Sequence, residues 1–73
     1  MIDEKVIGQR IGAYLKLTGR KVRWLAGEMG WTPEKTSVIT CGKQRMKLTE
    51  FFKICKILDV PYQQFITDDD LKE

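Results

Sequence analysis

Glycines at positions 19, 30 and 42 cut this chain into short segments, and within each segment the apolar residues recur at three- and four-residue intervals. That punctuation restricts the chain to a set of short helices. Ile7, Ile11, Tyr14 and Leu15 follow the spacing of one helix face. Asp3 and Glu4 put negative charge at a helix start and Gly19 supplies a stop, which predicts a first helix over 4–17. Gly8 and Gly12 weaken that helix by about 1 kcal/mol each against alanine, unless they serve the close approach of a neighbour. Val22, Leu25, Ala26 and Met29 share one face of a short second helix that ends at Gly30. Thr32 as N-cap, Pro33 at the first helical position and Glu34 in the first turn predict a third helix over 33–41, stopped by Gly42. Leu48, Phe51, Ile54, Cys55 and Leu58 line one face of a fourth helix, for which Thr49 is the expected cap. Pro61 opens a final short helix, "PYQQFI", with Tyr62, Phe65 and Ile66 apolar. No segment alternates with period two. The expectation is an all-α chain of five helices, with Ile11, Leu25, Ile39, Phe51, Ile54, Leu58 and Phe65 in the core.

A chain of 73 residues makes one domain at most, and its core must be compact and helical or be stapled. Cys41 and Cys55 lie in separate helical patterns and read as small apolar residues, so free thiols are expected rather than a disulfide. There is no histidine, and two cysteines fall short of the four ligands of an ordinary zinc site. A cysteine nucleophile would have no histidine base, and no glycine-rich phosphate loop is present, so neither an enzyme nor a bound cofactor is expected. No apolar run is long enough for a membrane span, and "MIDEKVIGQR" lacks the order of a signal peptide. These features suit a cytoplasmic protein with reduced thiols and no membrane or small-molecule partner.

The net charge is +3, unevenly spread. Residues 1–66 hold twelve Lys/Arg and six Asp/Glu, whereas the tail 67–73, "TDDDLKE", holds one Lys and four acids. The chain therefore divides into a basic body and an acidic tail, the tail being solvated or limiting non-specific binding. That arrangement suits a polyanion partner.

Only "GWT" joins the second and third helices. A short Gly-containing turn between two short helices is the helix-turn-helix arrangement, whose second helix enters the DNA major groove. The stretches "IGQRIGAYLKLTG", "WLAGEMGWT", "SVITCGKQR" and "LTEFFKICKILDVPYQQFI" carry the comparison further. Leu25 and Ala26 followed by Gly30, then Ile39 and Gly42, then Leu48, Phe51, Ile54, Leu58, Val60 and Phe65 keep one continuous register. In that register the chain resembles the Cro/C1-type helix-turn-helix family of phage repressors and Cro-like regulators, over about residues 7–66. The resemblance implies a five-helix phage repressor-like fold with a central helix-turn-helix. It implies a sequence-specific transcriptional regulator of phage or mobile-element type, binding double-stranded DNA as a homodimer. The chain departs from the family at the start of the reading helix, where Pro33, Glu34 and Lys35 replace the usual Gln, Ser or Thr. Leu15 and Thr40 replace a buried Arg–Glu pair that many members carry, and both partners are lost together.

Base-reading candidates are Glu34, Lys35, Ser37, Val38 and Gln44. Glu34 could accept from a cytosine amino group or simply favour the helix start. Lys35 could reach guanine, a phosphate or only solvent, and Val38 a thymine methyl or a neighbouring helix. Backbone candidates are Lys43, Arg45 and Lys47 in the loop after Gly42, and Lys21 and Arg23 at the start of the second helix. Arg20 has no evident role. Trp24 and Trp31 read as core or lid residues. The other reading is a protein-interaction module on the same fold, supported by the negative charge of Glu34 where a DNA reader would face phosphate.

Overall fold

The computed structural model describes residues 3–71. Among them every regular element is helical: α1 (Glu4–Leu17), α2 (Val22–Met29), α3 (Pro33–Thr40) and α4 (Leu48–Leu58), followed by single 3-10 turns at Tyr62–Gln64 and Asp68–Leu71. No described helix is long and apolar enough to cross a membrane.

The helix ends follow local chemistry. Asp3 accepts from the Lys5 N–H at 2.9 Å and caps α1. The Thr32 hydroxyl accepts from the Lys35 N–H at 3.1 Å and caps α3, with Pro33 inside the first turn. Helix α3 stops at Thr40, one residue short of the expected end, with Cys41 as its C-cap and Gly42 left-handed at φ 78°. The cap of α4 is Lys47, not Thr49. An N-cap needs extended backbone outside the helix, which Lys47 has, whereas Thr49 lies inside the first turn. Glu50 closes that end by accepting from the Lys47 N–H at 2.8 Å.

Instead of a fifth α-helix, "PYQQFI" forms one 3-10 turn, Tyr62–Gln64. So short a segment gains few intrahelical bonds, and its geometry is set by where Phe65 must go. Phe65 is buried edge-on to Tyr14, with ring centroids 5.5 Å apart, and also meets Phe51. The core comprises all seven expected residues, joined by Ile7, Leu15, Met29, Met46 and Cys55.

Helix α3 packs on both α1 and α2. Its contact with α1 is backbone on backbone. A Cβ at Gly8 would strike the Ile39 carbonyl oxygen, and one at Gly12 would lie 2.6 Å from the Thr40 carbonyl oxygen. The two glycines that weaken α1 locally are what let α3 approach it. Thr36 and Thr40 are both buried, and each hydroxyl donates back to a carbonyl of the preceding turn, at 3.0 and 2.9 Å. Leu15 and Thr40 thus fill their positions without charge, and no described buried side-chain N or O lacks a hydrogen-bond partner.

The acidic tail is exposed at Thr67, Asp68 and Asp69 and tied to the body at Asp70. Arg10 of α1 donates to both carboxylate oxygens of Asp70, at 2.6 and 3.2 Å, and to the Phe65 carbonyl at 2.8 Å. Asp70 also accepts from the backbone N–H and hydroxyl of Thr67. The Arg10 bonds first, then the Thr67 N–H, hold the Asp70 carboxyl well below the usual carboxylate range. Residues 67–70 are thereby tied to the body by a bidentate ion pair.

Candidate nucleic-acid interface

Residues 34, 37, 38 and 41 recur at the three- and four-residue steps of one helix side. On α3 Glu34 and Ser37 are exposed and Val38 is half-buried, with exposed Cys41 at the C-cap, while Thr36, Ile39 and Thr40 point inward. The outward strip is therefore short, half polar and half apolar, with Val38 partly covered and the Cys41 carbonyl met by the Gln9 side chain of α1. The inner side of α3 meets the backbone of α1 at Gly8 and Gly12 and buries Ile39 in the side-chain core.

Lys35 does not join this strip. It turns toward α4, where its ammonium lies 3.3 Å from Glu50 and 4.8 Å from the centre of the Trp31 ring. Burial works to raise the Glu50 carboxyl, but the Lys47 N–H and the Lys35 ammonium together outweigh it and leave the carboxyl below its ordinary range. Trp31 packs against the core beneath this pair, as a lid residue should. Lys35 is thus held by groups of its own chain, a long-range pairing that helical spacing does not reveal.

The loop after α3 begins at Gly42, whose left-handed backbone and close neighbour, the Gln9 side chain, leave no room for a Cβ. Lys43 returns its N–H to the Val38 carbonyl at 2.9 Å. Met46 then plunges into the core and anchors the loop. It is the one apolar residue of "KQRMK", and that was the available clue to an anchor. Around it Lys43, Gln44, Arg45 and Lys47 stand exposed. Arg45 leans toward the start of α1, 3.6 Å from Asp3 and 3.8 Å from Glu4, at two-thirds side-chain exposure. A contact so open to solvent is weak and exchangeable. Lys21 and Arg23, at the start of α2, are exposed and form no ion pair among the described residues.

Trp24 departs from its expected place in the core or lid. It stands 38% exposed on the outer side of α2, with the Arg20 guanidinium 4.9 Å from its ring centre. Leu25 and Ala26 bury the inner side of α2, which forces the residue before them outward. Both cysteines are free thiols, Cys41 exposed and Cys55 buried, and burial pushes the Cys55 thiol up. Comparison of the chain with protein-family profiles, with curated proteins and with solved structures finds no match.

Proposed function

We propose that the chain is a sequence-specific double-stranded DNA-binding regulator of the Cro/C1 type, with α2, the turn and α3 acting as a helix-turn-helix. On this reading it is a small phage or mobile-element repressor that works in the cytoplasm as a homodimer, without enzymatic activity, cofactor or small-molecule ligand. The observation that carries the reading is the outward side of α3, where Glu34 and Ser37 stand exposed, together with the exposed cations Lys21 and Arg23 at the start of α2 and Lys43, Arg45 and Lys47 in the loop directly after α3. A helix with that strip fits the major groove, and cations beside it suit the flanking phosphates. Ser37, Val38 and Gln44 are the base-reading candidates best presented, with Glu34 at the leading end. Lys35 would have to leave Glu50 to take part.

A second reading, a protein-interaction module on the same fold, rests on the first turn of α3. Pro33 has no N–H, the Thr32 hydroxyl accepts as the cap, Lys35 is drawn to Glu50, and Glu34 exposes a carboxylate. The one side-chain donor this turn leaves ready for a base is the O–H of Thr32, whose oxygen already accepts from Lys35.

Selection of bound sequences from random duplex DNA at fixed moderate salt separates the two. The DNA reading expects enrichment of a palindrome, with half-sites about one helical turn apart. It also expects binding that weakens steeply with salt, and the substitutions Arg45→Ala and Lys47→Ala should flatten that slope by about one unit per lost phosphate contact. No duplex binding at low salt, by wild type or by the Glu34→Gln variant, would leave the interaction module as the better reading.

A further inference from the structure

We infer that the turn between α1 and α2, with the exposed side of α2, is a docking site for an acidic protein segment that carries an apolar anchor. The site is a shallow, open depression lined by Gly19, Arg20, Lys21, Arg23 and Trp24. The Arg20 guanidinium lies 4.9 Å from the centre of the Trp24 ring. Leu17, 84% exposed at the end of α1, adds apolar surface at the same turn.

Three observations point to this occupant. The first is charge. Arg20, Lys21 and Arg23 crowd one turn, and none of them forms an ion pair among the described residues. Glu28, one turn beyond Trp24, is the acidic residue on the same side of α2, and it marks the far edge of the basic surface. The second is the combination of chemistries. A phosphate backbone would use the cations but gains nothing from Trp24 and Leu17, whereas a carboxylate-bearing segment with a Leu or Phe side chain would use both. Aromatic and arginine side chains side by side are the residue types that dominate binding energy at protein interfaces.

The third is preorganisation. The Arg20 N–H is bonded to the Leu15 carbonyl at 2.8 Å, and the Thr18 hydroxyl closes the end of α1 on the Tyr14 carbonyl. The turn is therefore fixed before anything binds, and little ordering entropy remains to be lost there. The site shares Lys21 and Arg23 with the proposed phosphate contacts, whereas Arg20 and Trp24 lie outside them, so those two residues test the inference separately from DNA binding.

The test is display selection of short random peptides on the immobilised full chain, followed by titration of one enriched peptide against wild type, Trp24→Ala, Arg20→Ala and Arg20→Glu. Circular dichroism and thermal unfolding check that each variant is folded. The expected result is enrichment of sequences rich in Asp and Glu with at least one Leu or Phe. Affinity for the enriched peptide should fall with salt, fall about tenfold in either alanine variant, and fall further in Arg20→Glu. Duplex binding by the Trp24→Ala variant, if wild type shows any, should stay within twofold of wild type. Enrichment of basic or neutral sequences, or equal binding by folded Trp24→Ala, would overturn the proposal. So would a single-stranded oligonucleotide that displaces the peptide and itself needs Trp24, because the indole would then be a base-stacking platform.

Discussion

Helices α3 and α4 are neighbours in sequence and opposites in how they are held. Helix α4 places Phe51, Ile54, Cys55 and Leu58 into the core, a stripe of large side chains at helical spacing. Helix α3 has no such stripe; its buried residues are Thr36, Ile39 and Thr40. It is held by one buried side chain, Ile39, by its packing on α2, and by a close backbone contact with α1 that Gly8 and Gly12 permit, with its threonine hydroxyls satisfied locally. A helix held from its inner side can keep its outer side chains free of packing duty. That is the property a reading element needs, and it separates the residues that stabilise α3 from those that would contact a partner.

Substitutions can break this contrast. Phe51→Ala removes a buried ring from the α4 stripe, and the expected loss is about 3–5 kcal/mol in urea unfolding. Because so small a domain has little stability to lose, the variant should be largely unfolded at 37 °C. A loss below 1 kcal/mol would mean that α4 is not the principal apolar support.

Gly12→Ala is the sharper test of α3. By helix propensity alone it should stabilise α1 by about 1 kcal/mol. The Thr40 carbonyl stands where the new methyl must go, so a net destabilisation of about 1–3 kcal/mol is expected instead. A more stable variant would show that α1 and α3 are not in close backbone contact.

On the outer side of α3 the effects should reverse. Ser37→Ala and Val38→Ala should leave the unfolding midpoint almost unchanged, within about 0.5 kcal/mol. If the DNA reading holds, each should alter base preference at one position per half-site, by roughly 1–3 kcal/mol of discrimination. The loop substitutions Arg45→Ala and Lys47→Ala should lower affinity on every sequence and leave preference intact.

The smallest effect concerns the Arg10–Asp70 pair, which belongs to neither helix. The Asp70 carboxyl is lowered in the folded chain, so the stability it contributes is present above its unfolded value. That contribution is lost as pH falls through the folded value. Asp70→Asn should therefore be slightly less stable than wild type at neutral pH, and the gap should close progressively as pH falls below about 4. Urea midpoints of the two proteins across that range make the comparison; a gap independent of pH would show that the ion pair contributes nothing.

Most of what could be read in advance rested on near neighbours. The span of α1, the capping of α3 by Thr32 and Pro33, and the seven core residues all follow from spacing, caps and glycine stops within a few residues of each other. The inward turn of Thr36, Ile39 and Thr40 follows from helix geometry once the span of α3 is known. The arrangements that were not legible have a common origin too. Lys35 turned to Glu50 fifteen residues on, and Asp70 folded back to Arg10 sixty residues away. Trp24 went outward because Leu25 and Ala26 claimed the inner side of its helix.

Hydrophobic period, helix punctuation and the charge difference between body and tail are local or additive properties, and they suffice for an all-helical chain with a basic body. Which cations remain free, which tryptophan is exposed, and whether the last apolar segment winds into a helix or turns once to insert Phe65 depend on contacts between distant residues. Those contacts are chosen by packing and by charge pairing in three dimensions, where a few ångströms separate a solvated lysine from one held beside a carboxylate. The two glycines of α1 join both levels: their cost to the helix is legible from residue type, and their use emerges only where the carbonyls of α3 come to lie against them.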